Sequence, residues 1–146
     1  MERLRMTAQQ LSGRCSCGAV RFTAMSEPLW VAHCHCCNCR GVTGTAFATY
    51  AGYATEKVAW TGDAPSIYRS SPGVVRQFCG KCGTPLSFAG ERWPGEIHLF
   101  VCTLDDPGAL QPTGHVYVKE QMPWLHLADR LPRFHTVPSQ GGPLAD

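Results

Sequence analysis

Four cysteines and two histidines stand within the seven residues His33–Cys39, in the run His33-Cys34-His35-Cys36-Cys37-Asn38-Cys39-Arg40. Cys34, Cys36 and Cys39 form a C-x-C-x-x-C pattern, a spacing that can bring three sulfurs to one metal ion. Two further pairs lie far from it, Cys15/Cys17 and Cys79/Cys82, each followed by a glycine, Gly18 or Gly83. Glycine after the last cysteine suits a metal-binding knuckle, whose sharp bend aims amide N–H groups at the sulfurs. Four thiolates close the tetrahedral sphere of Zn²⁺ and leave no position for water or substrate. Cys15, Cys17, Cys79 and Cys82 are therefore expected to hold a structural zinc, closing a loop of about sixty residues.

Three sulfurs leave the fourth position free, the arrangement of catalytic zinc. Three thiolates on a dication carry a net negative charge, which makes the metal a weak Lewis acid. Such a site is better suited to holding an exogenous thiolate or a small carbonyl than to acidifying water. Other assignments stay open on spacing alone. Cys37 also pairs with Cys34 as C-x-x-C, and Cys37, His33 or His35 in the fourth position would close the site. The two histidines otherwise serve as outer hydrogen-bond donors or surface residues. Arg40, Arg69 and Arg76 are candidates to meet an anionic ligand. A redox role for Cys36/Cys39 lacks the βαβ context of a thioredoxin-like protein. Cys102, within an apolar stretch, is expected to be a buried small hydrophobe.

The nine cysteines fit a reducing cytoplasm, where clustered thiols signify metal or redox chemistry; a disulfide framework is the competing assignment. The first residues, Met1-Glu2-Arg3-Leu4-Arg5, lack the apolar region of a secretory signal. No stretch reaches the roughly 20 apolar residues of a membrane span. A net charge of +2 is too mild to point to nucleic acid.

The elements that must position these residues read as short strands. Glycine (15 residues) and proline (11 residues) are scattered along the chain, and no long amphipathic helix interrupts them. Strands are expected at 19–23, 29–32, 45–50, 57–60, 66–69, 74–78, 86–88, 97–102 and 115–118, with a turn or one helical turn around Gly41 and Gly44. Residues 1–10 read as a flexible lead-in, 11–136 as one β-dominated domain, and 137–146 as a flexible tail.

Gly13-Arg14-Cys15-Ser16-Cys17-Gly18, Cys34-His35-Cys36-Cys37-Asn38-Cys39-Arg40 with Thr43-Gly44, and Phe78-Cys79-Gly80-Lys81-Cys82-Gly83 together resemble the glutathione-dependent formaldehyde-activating enzyme family, which includes centromere protein V. Thr103-Leu104-Asp105-Asp106, Trp124 and Leu131-Pro132-Arg133-Phe134 extend the resemblance. It implies an all-β, Mss4-like zinc domain of several small curled antiparallel sheets. It also implies two zinc ions per chain, a structural one on Cys15, Cys17, Cys79 and Cys82 and a catalytic one on Cys34, Cys36 and Cys39. The implied activity is that of a carbon–sulfur lyase joining a thiol such as glutathione to formaldehyde. This chain lacks the longer N-terminal region of the enzyme that names the family. Thr43 replaces a frequent serine, and Cys37 is an added thiol. The alternative function is a zinc-stabilised binding or sensor module without turnover.

Overall fold

The computed structural model describes residues 10–145. Ten strands and one helix follow in the order β1 (Leu11–Arg14), β2 (Val20–Ala24), β3 (Trp30–Cys34), α1 (Cys37–Thr43), β4 (Ala48–Ala54), β5 (Val58–Gly62), β6 (Ser66–Ser71), β7 (Val74–Phe78), β8 (Pro85–Gly90), β9 (Glu96–Phe100) and β10 (His115–Val116). They form two sheets, one of order β1-β2-β5 and a larger one of order β10-β3-β4-β9-β8-β7-β6. All pairings are antiparallel except β10 on β3, where His115 lies opposite His33.

The larger sheet is apolar on both faces, and period-2 alternation divides its residues between two cores. Val31, Ala51, Tyr53, Ile97 and Leu99 join Leu11, Val20, Phe22 and Val58 of the small sheet in the main core. Cys34, Tyr50 and Phe100, with Trp30 and Phe88, form a second cluster on the opposite face. That second face carries the three-sulfur cluster, because Trp30, Ala32 and Cys34 alternate with Val31 and His33 along β3.

The β-dominated reading holds, with local revisions. The turn expected from Ser12 begins as strand β1, since Leu11 and Gly13 face the core opposite Ala24 and Phe22. The turn after the cysteine cluster is a seven-residue helix. The strand expected to run through Cys102 ends at Phe100 in a 3₁₀ turn, and that turn leaves Cys102 exposed rather than buried. The sulfurs of Cys15 and Cys17 lie 3.6 Å apart and those of Cys17 and Cys79 3.8 Å, far beyond the about 2 Å of a disulfide; all nine thiols are free. The lead-in expected at 1–10 lies outside the described residues except for Gln10. In the expected tail, Pro138–Gln140 form a 3₁₀ turn and the Leu144 amide donates to the Arg133 carbonyl at 2.7 Å.

Candidate functional site

The two knuckles are built alike. The Cys15 amide donates to the Val20 carbonyl at 3.0 Å, and the Cys79 amide to the Thr84 carbonyl at 3.0 Å, so each closes the turn between two strands. Gly18 and Gly83 sit at φ 79° and 78°, a backbone conformation that strains residues with a side chain. Amides converge on sulfur: Val20 on Cys15 at 3.3 Å, Lys81 and Cys82 on Cys79 at 3.4 and 3.5 Å. The Ser16 amide reaches the Thr84 hydroxyl at 3.0 Å and ties one knuckle to the other. The four sulfurs lie within 4.8 Å of one another and could hold a metal ion. Hydrogen bonds, chiefly with Thr84, lower the Cys82 thiol to about 5, a thiol already inclined to ionise.

The sulfurs of Cys34, Cys36 and Cys39 also lie within 4.8 Å. Cys34 ends β3, Cys36 caps α1 and Cys39 occupies its first turn, so strand end and helix start fold the C-x-C-x-x-C run onto one point. The Cys36 sulfur accepts from the Cys39 amide at 3.3 Å, and the Cys34 thiol donates to the Cys39 sulfur at 3.6 Å. Bonds from Cys34 and Cys36 draw the Cys39 thiol down to about 2, with a smaller lowering from Tyr50 and Arg76; bonds with Cys36 and Cys39, and burial, drive Cys34 up. The cluster therefore readily carries one thiolate, and a dication is the group that lets all three sulfurs ionise. Both donor sets fit zinc.

Cys37 lies outside this group, exposed on α1. Arg40 is occupied by the His35 carbonyl at 3.0 Å and the Met122 sulfur at 3.4 Å, and Arg69 is exposed on β6. His35 joins a polar chain beside the cluster. His35 Nε2 meets His115 Nδ1 at 2.9 Å, and His115 Nε2 meets Asp129 Oδ2 at 2.8 Å. The carboxylate fixes a proton on His115 Nε2, so His115 Nδ1 accepts from His35 Nε2–H. His33 Nδ1 pairs separately with the Thr49 hydroxyl at 2.7 Å. His33, His115 and Asp129 bring ligand atoms within 4.8 Å; the His115–Asp129 hydrogen bond and the stacking of the His33 ring on His115 at 4.8 Å hold them together. The chain joins the start of α1 to the C-terminal segment.

Cys34, Cys36 and Cys39 line a cavity of about 830 Å³. Its floor is a row of residues in register across five strands: Trp30 opposite Gly52, Gly52 opposite His98, His98 opposite Phe88, Phe88 opposite Arg76. Gly52 is required for the row, since a Cβ there would come within 2.4 Å of the Trp30 ring. Tyr50, one step along β4, links floor to cluster. Its hydroxyl donates to the Cys39 sulfur at 3.3 Å and accepts from Arg76 Nη1 at 3.4 Å.

Trp30, Phe88 and Trp93 surround His98 at ring-centroid distances of 4.5, 5.3 and 5.5 Å. His98 is 5% exposed, and burial lowers it to about 4, so the ring is neutral near pH 7. Its Nε2 has no hydrogen-bond partner among the described residues; the nearest carboxylate oxygen, of Glu96, stands 3.8 Å away. Arg76 is buried with its Nε likewise unpartnered. Arg92 lies over Trp93 and also lines the cavity.

The seven thiols singled out from sequence as metal ligands thus gather into two groups. Of the three candidate arginines, Arg76 alone lines the cavity. Sequence reasoning missed Tyr50 and His98. The one available sign was a histidine between Ile97 and Leu99 in an apolar run.

A family model described as glutathione-dependent formaldehyde-activating enzyme matches residues 10–120 of the chain. A protein of Halomonas elongata, provisionally named a glutathione-dependent formaldehyde-activating enzyme, is 31% identical over 130 residues, covering 82% of this chain and 82% of that protein. A crystal structure of a Rhodobacter sphaeroides protein has a similar fold, with TM-score 0.56 and 23% identity, covering 69% of this chain and 91% of that one. The fold is of the all-β, Mss4-like kind expected from the sequence.

Proposed function

The chain belongs to the glutathione-dependent formaldehyde-activating enzyme family, and on that premise we propose that it makes and breaks a carbon–sulfur bond between a small thiol of the glutathione type and a small carbonyl compound such as formaldehyde. The observation that carries this reading is that the three-sulfur cluster lines the cavity, while the four-sulfur set lies apart at the strand turns. In this reading Cys34, Cys36 and Cys39 hold a second zinc, and Cys15, Cys17, Cys79 and Cys82 a structural one. Bound there, the second zinc would supply a site at which a substrate thiol is held as thiolate near neutral pH.

The remaining roles belong to the chain. Tyr50 and Arg76 place a hydroxyl and a positive charge against the Cys39 sulfur and offset the negative charge of three thiolates. Arg76 and Arg92 face a cavity into which a glutathione-type carboxylate fits. Trp30, Phe88 and Trp93 line the cavity, and a substrate held against them would be shielded from water. In the addition, the thiol gives up its proton and its sulfur lone pair forms the bond to the carbonyl carbon. The carbonyl π pair moves to oxygen, and oxygen takes up a proton. The reverse reaction breaks the same bond, with no change of oxidation state overall.

Residues 11–136 are the proposed catalytic domain, and the cytoplasm is the proposed compartment, as suits nine free thiols. No helix among the described residues is long and apolar enough to cross a membrane. The test is zinc content and adduct formation, with and without glutathione, in the wild type and C36A. The reading expects about two zinc per chain, the second exchangeable with glutathione, and neither that zinc nor turnover in C36A. Unchanged metal and turnover in C36A would sink it. Tight metal without thiol-dependent turnover would assign the chain to a binding or sensor module.

A further inference from the structure

We infer that His33, His115 and Asp129 form a third cation site, separate from both cysteine clusters, which takes a divalent transition-metal ion of the zinc, cobalt or nickel kind and clamps the C-terminal segment onto the large sheet.

The first support is the donor set. One ligand atom from each of the three residues lies within 4.8 Å of the others, and His115 Nε2 stands 2.8 Å from Asp129 Oδ2. An ion held at about 2.0–2.2 Å places its donors about 3–3.5 Å apart, so closing on one asks for a shift of at most about 1–2 Å. Asp129 can supply it, because its side chain is 40% exposed and its backbone lies outside the helices and strands. Two imidazoles and a carboxylate suit borderline first-row dications, and they carry far less negative charge than the thiolate clusters.

The second support is the set of outer hydrogen bonds. Metal-bound histidines and carboxylates have their remaining polar atoms held by outer partners, which orient the ligand. Each of the three residues is held in this way. The Thr49 hydroxyl takes His33 Nδ1 at 2.7 Å, His35 Nε2 takes His115 Nδ1 at 2.9 Å, and the Leu131 amide donates to Asp129 Oδ1 at 3.0 Å. His33 Nε2, His115 Nε2 and Asp129 Oδ2 are left as the ligand atoms. On binding, the proton on His115 Nε2 leaves to water. The His35 Nε2 proton passes to His115 Nδ1, and His35 takes one up at Nδ1, an atom without a partner among the described residues in either form.

The third support is placement. The parallel pairing of β10 on β3 sets His115 opposite His33, and Asp129 arrives from the segment that follows. None of the three lines the cleft, but Gly114, Val116 and Pro132 do. The His115 amide donates to the Pro132 carbonyl at 2.8 Å, so an ion here would pin one wall of the cleft.

The experiment adds Co²⁺ to the full chain after about two equivalents of zinc, which the thiolates take first. One further Co²⁺ is expected, with visible d–d bands and no thiolate-to-cobalt charge transfer. Histidine-selective ¹⁵N NMR is expected to show paramagnetic displacement of the His33 and His115 signals, and Tm to rise. D129N keeps an acceptor toward His115, and H33F keeps the ring stack; each is expected to bind Co²⁺ at least about tenfold more weakly, with melts before Co²⁺ showing that both fold. The absence of a third equivalent, cobalt entering only with thiolate charge transfer, or undiminished affinity in folded D129N and H33F would overturn the inference. So would a third bound ion that leaves the His33 and His115 signals of the wild type unmoved, a readout that needs no variant.

Discussion

The hydroxyl of Tyr50 donates to the sulfur of Cys39 across 3.3 Å, in the buried floor of the cleft. A hydrogen bond to a metal-ligating thiolate lowers its charge density and orients it, and losing such an outer partner typically weakens metal binding about 10- to 100-fold. Y50F removes only the oxygen and preserves the ring against Phe100. It is expected to weaken zinc at the Cys34/Cys36/Cys39 cluster within that range and to leave the four-sulfur site unmoved. Chelator competition resolving two release phases checks this.

The two clusters predict opposite costs. Cys79 is buried between strand turns, with two amides aimed at its sulfur. C79S is expected to lose several kcal/mol of metal-linked folding energy and roughly 10–20 °C in Tm. C36S is expected to keep most of its thermal stability and to lose one zinc together with thiol-dependent activity. Thermal melts paired with metal analysis separate the two.

Gly52 leaves room for the Trp30 ring on the cleft floor. A methyl group there, 2.4 Å from the indole, forces Trp30 off its position and strains the Trp30–Glu96 hydrogen bond. G52A is expected to cost about 1–3 kcal/mol by overpacking and to change the Trp fluorescence spectrum. Denaturant titration and emission spectra check both.

His98 makes stability depend on pH with a defined sign. Burial holds the folded ring at about 4 against an ordinary 6.5. As pH falls below 6.5 the unfolded chain takes up the proton first. The stabilisation is thus complete above 6.5 and is lost as pH falls toward 4. Glu96 and Tyr50 stand beside it, and the Cys39 sulfur opposes burial by raising it. Thiolate protonation adds a slope of the same sign in any variant. H98F should therefore lose less stability than wild type between about pH 7 and pH 5, read from urea midpoints at each pH.

The two cysteine groups that could hold a metal ion were legible in the sequence because their chemistry is carried by residue type and short spacing. Cys15/Cys17 and Cys79/Cys82 need only a tight turn each, and glycine marks both turns. The strands carrying Val20, Val74 and Ile97 were legible from alternation. The cleft was not. Trp30, Gly52, His98, Phe88 and Arg76 come together through cross-strand register, and register is set by partners distant in the chain, as where Gly52 lies opposite His98. Cys102 escaped for a local reason. An apolar run predicts a buried strand, but the chain turns into a 3₁₀ helix after Phe100 and rotates the thiol outward.

Alternation along the large sheet has a consequence for how this protein can change. Trp30 and Val31, Tyr50 and Ala51, and His98 and Leu99 are chain neighbours assigned to opposite faces. One face joins the small sheet in the main core, and the other lines the cavity. Substitutions on the cleft side can therefore retune which molecule is admitted without rewriting the packing beneath. For an engineer this is a modular surface on a fixed chassis, and the row from Trp30 to Arg76 is where a library of variants should be built.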